Sequence, residues 1–119
     1  MAIDVKDSRT LRDKFGILGK AILDDNEITN IYQTPIKTKY SSININILNP
    51  LDLDAEVSIW ISELSEPTDV DLIEYRLTLV AGAVYVRTNF SMAPKEIIFI
   101  KSNLSGLIVR IDGFEDNRV

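Results

Sequence analysis

The chain contains no cysteine and no histidine. The first absence removes disulfide staples and the thiolate nucleophile. The second removes the side chain that most often serves as general base and metal ligand near neutral pH. No apolar run approaches the roughly 20 residues of a membrane-spanning helix. Residues 1–14 mix acids and bases and lack the apolar core of a secretory signal, which points to synthesis in a cytoplasm. These gaps set the expectation of a non-enzymatic protein with no cofactor, no metal and no membrane partner.

Positive charge is also missing from a long stretch. Between Lys39 and Arg76 there is no Lys or Arg, while Asp52, Asp54, Glu56, Glu63, Glu66, Asp69, Asp71 and Glu74 all fall there, in a chain of net charge −5. Such a segment repels phosphate, and the remaining bases are scattered, so nucleic acid is excluded as an expected partner. The bland reading of the stretch is a solvated acidic edge that maintains solubility; the other is a binding surface.

What is present is apolar alternation, interrupted and resumed about eight times. Ser42 to Asn49 sets Ile43, Ile45 and Ile47 against Ser42, Asn44 and Asn46, and Glu56 to Ser62 sets Val57, Ile59 and Ile61 against Glu56, Ser58 and Ser62. Successive side chains of a strand point to opposite faces, so each segment reads as a half-buried strand of an antiparallel sheet. Further strands are expected over 17–23, 28–34, 73–80, 83–90, 95–102 and 107–112. Pro35, Asn49-Pro50, Ala81-Gly82 and the 103–106 segment mark ends and turns. Ala81-Gly82 predicts a tight hairpin between its flanking strands, and 67–71 one helical turn. The whole predicts an all-β domain over residues 15–119: an antiparallel β-sandwich, Ig-like or jelly-roll, of seven to nine strands. The expected core is Ile43, Ile45, Ile47, Val57, Ile59, Ile61, Ile73, Tyr75, Leu77, Leu79, Val84, Val86, Ile97, Phe99, Leu107, Val109 and Ile111. Residues 1–14 alternate in charge and offer little apolar surface, so they are expected to form an N-terminal arm, either frayed or docked on a neighbouring subunit.

Several residues fall on the wrong face for a simple sandwich. Trp60 shares a face with Ser58 and Ser62, and Tyr85 lies beside Arg87, opposite Val84 and Val86. In the 97–100 run, Ile98 and Ile100 are as apolar as Ile97 and Phe99 on the opposite face. Each is explained singly by a ring lying on its own sheet or under a loop. Together Trp60, Tyr85, Arg87, Ile98 and Ile100, with Leu11 and Arg12 of the arm, form the expected subunit interface, since Trp, Tyr and Arg are enriched at interface hot spots.

No arrangement in the chain specifies catalysis. Asp52, Asp54 and Glu56 alternate as at the start of a calcium loop, but the turn-forming glycine and distal bidentate glutamate are absent. Asp69 and Asp71 suit the capping of a helical turn. A glycosidase-like carboxylate pair is not singled out among the 18 acids. No serine sits on a Gly-x-Ser-x-Gly elbow, and the 16–20 segment is too short for a phosphate loop. A carbohydrate-binding module is the rival class. In it Trp60 and Tyr85 would stack on sugar rings, with Asn44, Asn46 or the acids of 52–56 supplying hydrogen bonds.

The order of several segments carries a resemblance. Gly16-Ile17-Leu18-Gly19-Lys20-Ala21 is followed by Ile31-Tyr32-Gln33-Thr34-Pro35, Ile43-Asn44-Ile45-Asn46-Ile47-Leu48-Asn49 and Ile73-Glu74-Tyr75. Then come Val84-Tyr85-Val86-Arg87-Thr88 and Val109-Arg110-Ile111-Asp112-Gly113-Phe114-Glu115. In order and spacing this resembles small virion structural proteins of tailed bacteriophages, of the marine and cyanobacterial type, over residues 15–115. Many of those proteins carry longer, glycine-richer turns at the position of Lys37-Thr38-Lys39. The resemblance implies a β-sandwich assembled in many copies on a virion, with other virion proteins and copies of itself as partners and no catalytic residues. Capsid decoration is the leading expectation, with a neck, tail or fibre-attachment component as the alternative.

Overall fold

A computed structural model describes residues 14–117. Eight strands follow in order: β1 (Lys14–Ile22), β2 (Thr29–Gln33), β3 (Tyr40–Leu48), β4 (Ala55–Ser62), β5 (Leu72–Leu79), β6 (Val84–Met92), β7 (Ile97–Ser102) and β8 (Ile108–Asp116). A single 3-10 turn, Asp69–Asp71, precedes β5, and a capping box in which Asp71 accepts from the Thr68 backbone N–H (2.8 Å) and hydroxyl (3.0 Å) closes it. These hydrogen bonds, the backbone one foremost, hold the Asp71 carboxyl below its ordinary range.

The strands form two antiparallel four-stranded sheets, ordered β1-β8-β3-β6 and β2-β7-β4-β5. Only β4 and β5 are consecutive strands that pair within a sheet; every other connection crosses from one sheet to the other. That connectivity is the eight-stranded jelly roll. It decides between the two sandwich types consistent with the alternation.

The connection at Ala81-Gly82 corrects the hairpin expectation. The turn is tight, with Ala83 N–H donating to the Val80 carbonyl at 3.0 Å, but β5 and β6 are edge strands of different sheets. Asn49 at the end of β3 captures the turn. Its backbone N–H donates to the Ala83 carbonyl (2.9 Å), and its carbonyl accepts from Gly82 (2.8 Å). Its fully buried side-chain amide donates to the carbonyls of Leu53 (2.8 Å) and Leu79 (2.9 Å). One asparagine thus ties three segments and directs the chain across the sandwich.

The core lies between the sheets. Ile43, Ile45, Ile47, Val57, Ile59, Leu79, Leu107, Val109 and Ile111 are buried there as the alternation requires, while Ile61 and Ile73 pack half-buried against them. Two strands are inverted relative to expectation. In β7, Ile98 and Ile100 are fully buried in the core, and Ile97 and Phe99 lie on the outer face. Both faces of β7 are apolar, so hydrophobicity alone leaves its parity open. Pairing decides it: Ile100 lies beside Ile59 and Ile98 beside Ile61.

In β6, Val84 and Val86 are solvent-exposed and Tyr85 turns inward beside Ile47. A long ring with a polar tip suits the open side of a sandwich better than valine does, because it covers the core while its hydroxyl reaches the rim. Tyr75 is also exposed rather than buried, for reasons of register described below.

Candidate functional site

Strand pairing places the outward side chains of the β1-β8-β3-β6 sheet in registered rows. At one end Ile22, Ile108, Leu48 and Val84 lie side by side across all four strands. Ile22 is 70% exposed and Val84 54%. At the other end Phe15, 73% exposed, stacks on Phe114 with ring centroids 5.0 Å apart, and Tyr40 adds a third ring at 6.4 Å. Between these apolar ends runs a polar band. Asp112 accepts from the amides of Asn44 (2.8 Å) and Asn46 (3.5 Å), and Arg110 lies 3.7 Å from the same carboxylate. Apolar ends flanking a fixed polar band are what a specific protein interface presents: area to bury and polar groups to set register. Scattered single exposed apolar residues need no explanation, but rows in contact across a whole sheet do.

The residues singled out from the sequence are dispersed. Leu11 and Arg12 lie outside the described residues. Ile98 and Ile100 are sealed in the core and cannot reach a partner. Tyr85 and Arg87 face the rim of the sandwich instead of its outer face. The Tyr85 hydroxyl donates to Glu74 (2.8 Å), Arg87 sits 3.5 Å from the same carboxylate, and the Arg87 guanidinium lies 5.3 Å from the centre of the Phe90 ring. Burial pushes the Tyr85 hydroxyl above its ordinary range, with Glu74 adding to it. This cluster links the edge strands β5 and β6 at the rim of the sandwich.

Trp60 is on the outer face of the β2-β7-β4-β5 sheet as expected, but only 9% exposed, packed with Ile97, Phe99 and Leu72. The 63–71 segment returns over this cluster, and its Ser65, Glu66 and Pro67 line a dent with Phe99 and Ile28. The sugar-binding set named from the sequence is therefore split. Trp60 is on one outer face, Asn44 and Asn46 are on the other, and Tyr85 is inside. Some acids of the long basic-free stretch have local partners: Asp54 accepts from the Ala81 N–H (3.0 Å), and Glu56 binds Arg76 through two contacts of 3.0 and 3.4 Å. Among the described residues no group of three or more acids is placed to hold a metal ion.

Ile22, Ile108, Phe15 and Phe114 were not singled out by sequence reasoning. A signal was present in β8, where Ile108 and Phe114 share the face of Arg110 and Asp112, opposite Val109 and Ile111.

No family model matches the chain, and no curated protein matches it. Among solved structures, it is similar to a pentameric capsid protein isolated from metagenomic phage sequences, at 13% identity and a TM-score of 0.37. The match covers 91% of this chain and 66% of the other, just under two thirds of that protein's length.

Proposed function

We propose that this chain is a structural protein of a bacteriophage virion that acts by stoichiometric binding to its neighbours, with capsid decoration as the leading role and a neck, tail or fibre-attachment position as the alternative. The single observation that supports it best is the apolar row Ile22–Ile108–Leu48–Val84, which crosses an entire sheet face, its two ends Ile22 and Val84 more than half exposed. The order of segments shared with small phage virion proteins gives that face its context. Catalysis has no part in this reading: neither histidine nor cysteine is present, and Asp71, Asp54 and Glu56 are engaged in a cap, a turn and an ion pair. Strand spacing and rise make a four-stranded face roughly 15–20 Å by 30 Å. A face of that size is of the same order as one side of a standard interface, about 800 Å² per partner.

Mass spectrometry of purified particles of the encoding phage tests the role. Hundreds of copies indicate the shell or a tail tube, a dozen or fewer a neck or baseplate, and absence overturns the reading. The face has its own test in Ile22→Asp/Ile108→Asp. Both positions are accessible at the surface, so the free domain should melt within about 3 °C of the parent. Copies per particle should fall about tenfold or more, because desolvating two carboxylates in an apolar contact is costly. Normal incorporation would exclude this face as the assembly surface.

A further inference from the structure

We propose that the opposite outer face carries a separate binding site, a cleft for a carboxylate-bearing saccharide unit, with Tyr75 as stacking platform and Trp60, Lys101 and Asn103 as hydrogen-bond donors. The cleft has a volume of about 280 Å³, a little below the roughly 300–1,000 Å³ of sites for drug-sized ligands, and suits one sugar ring.

Its construction begins with the register of β5. Val57 pairs with Leu77, Ile59 with Glu74 and Trp60 with Leu72, so β5 carries an extra residue in each interval. Arg76 absorbs the first bulge with φ +50, a conformation unfavourable for a residue with a Cβ, held by its N–H donating to Ser58 Oγ at 3.0 Å. The bulge shifts the parity of the strand and turns Tyr75 outward, where it is 68% exposed beside Trp60. A strained bulge that presents an aromatic ring to solvent over a polar cleft contributes nothing to the core, and such features concentrate at binding sites.

The polar groups around the ring are mostly donors. The Trp60 indole N–H has no acceptor among the described residues, and no buried side-chain polar atom there lacks a partner, so this N–H of a nine-tenths-buried residue remains open to solvent. Asn103 is oriented by its own hydrogen bond: its side-chain oxygen accepts from the Glu56 N–H at 2.8 Å, which leaves its NH₂ to donate outward. Glu56 and Arg76 satisfy each other, whereas Lys101 has no ion pair among the described residues. The charge left uncompensated in the cleft is thus positive, in a chain whose net charge is −5. A pyranose offers an apolar C–H face to a tyrosine ring and a rim of oxygens to donors, and a carboxylate on that ring supplies the missing partner for Lys101. This cleft and the assembly face are on different sheets, so each can fail without the other.

Titration of the ¹⁵N-labelled full chain with methyl β-glucuronide, in parallel with methyl β-glucoside, tests the site by NMR. We expect shifts at Tyr75, Arg76, Lys101, Asn103 and the Trp60 indole N–H, and about tenfold tighter binding of the glucuronide. Tyr75→Ala and Lys101→Gln should each weaken that binding about tenfold while leaving the rest of the spectrum in place. Equal affinity for the two glycosides, shifts located elsewhere, undiminished binding by Tyr75→Ala, or no shift with either sugar would each overturn the proposal.

Discussion

Gly113→Ala is expected to destabilise the protein by about 3–5 kcal/mol and lower its melting temperature by more than about 10 °C, one of the largest effects of any single methyl group in this chain. Gly113 lies in β8 between Gly16 of β1 and Ile43 of β3, with φ +146. A Cβ there would collide with the Ser42 carbonyl oxygen and stand 2.8 Å from the Ile43 Cα. Both obstacles are backbone of the central strand β3, so neither moves without breaking the ladder that carries Ile43 and Ile45. Gly82→Ala separates collision from backbone strain. Gly82 also has positive φ (+77), but nothing lies within 4 Å of its added carbon. Its substitution should cost only the left-handed penalty of about 1–2 kcal/mol. Thermal melts of the two variants check this. Equal losses would mean that β3 and β8 do not approach as closely at Gly113 as described.

The same close packing shows how far the fold could be read from the residues. In β3 one face is apolar and the other polar, and the alternation gives the core positions directly; in β4 it does so for Val57 and Ile59, with Trp60 the apolar exception on the outer face. In β7 the alternation carried no information, because isoleucine and phenylalanine occupy both faces; the parity followed only from pairing with β4. In β6 hydropathy favours valine over tyrosine as the inward residue. The structure makes the choice on size, because an edge strand needs a long ring to cover an open rim. Tyr75 failed for a third reason. Its strand contains bulges, and an inserted residue reverses parity downstream with no mark in the sequence; it becomes visible only in the structure, as Arg76 at positive φ.

The hairpin misreading has a similar origin. A two-residue turn constrains the direction of the chain but not the sheet to which the next strand belongs, and here Asn49, 30 residues from Leu79, makes that choice. The candidate faces were less legible than the fold for the same reason. An exposed apolar row is a property of four strands in register, and no window of the sequence contains Ile22, Leu48, Val84 and Ile108 together.

Tyr32→Phe should remove about 2–4 kcal/mol at pH 7 and, in addition, flatten the loss of stability in alkali. The Tyr32 hydroxyl, from β2 in one sheet, donates to the Glu115 carboxylate, from β8 in the other, at 2.6 Å in a buried setting. Ser41 and Thr34, whose hydroxyls are 2.8 Å apart, complete the polar cluster. Phenylalanine would keep the packing and strand a carboxylate that is only 4% exposed. Most of the expected damage is that desolvated charge. Tyr32→Phe/Glu115→Leu should therefore recover about 1 kcal/mol or more relative to Tyr32→Phe alone. The alkaline arm follows from linkage. Burial, and then the hydrogen bond to Glu115, raise the pKa of Tyr32 far above the value near 10 of an unfolded tyrosine. Between the two values the native state binds more protons than the unfolded state, so stability is complete below about pH 10 and declines as pH rises beyond it. Tyr85, raised mainly by burial, adds to the same decline, so the informative quantity is the difference between parent and variant. Urea unfolding from pH 7 to 11 measures it. Parallel slopes above pH 10 would show that Tyr32 ionises as readily in the folded protein as outside it, and that the tie between the sheets is not closed.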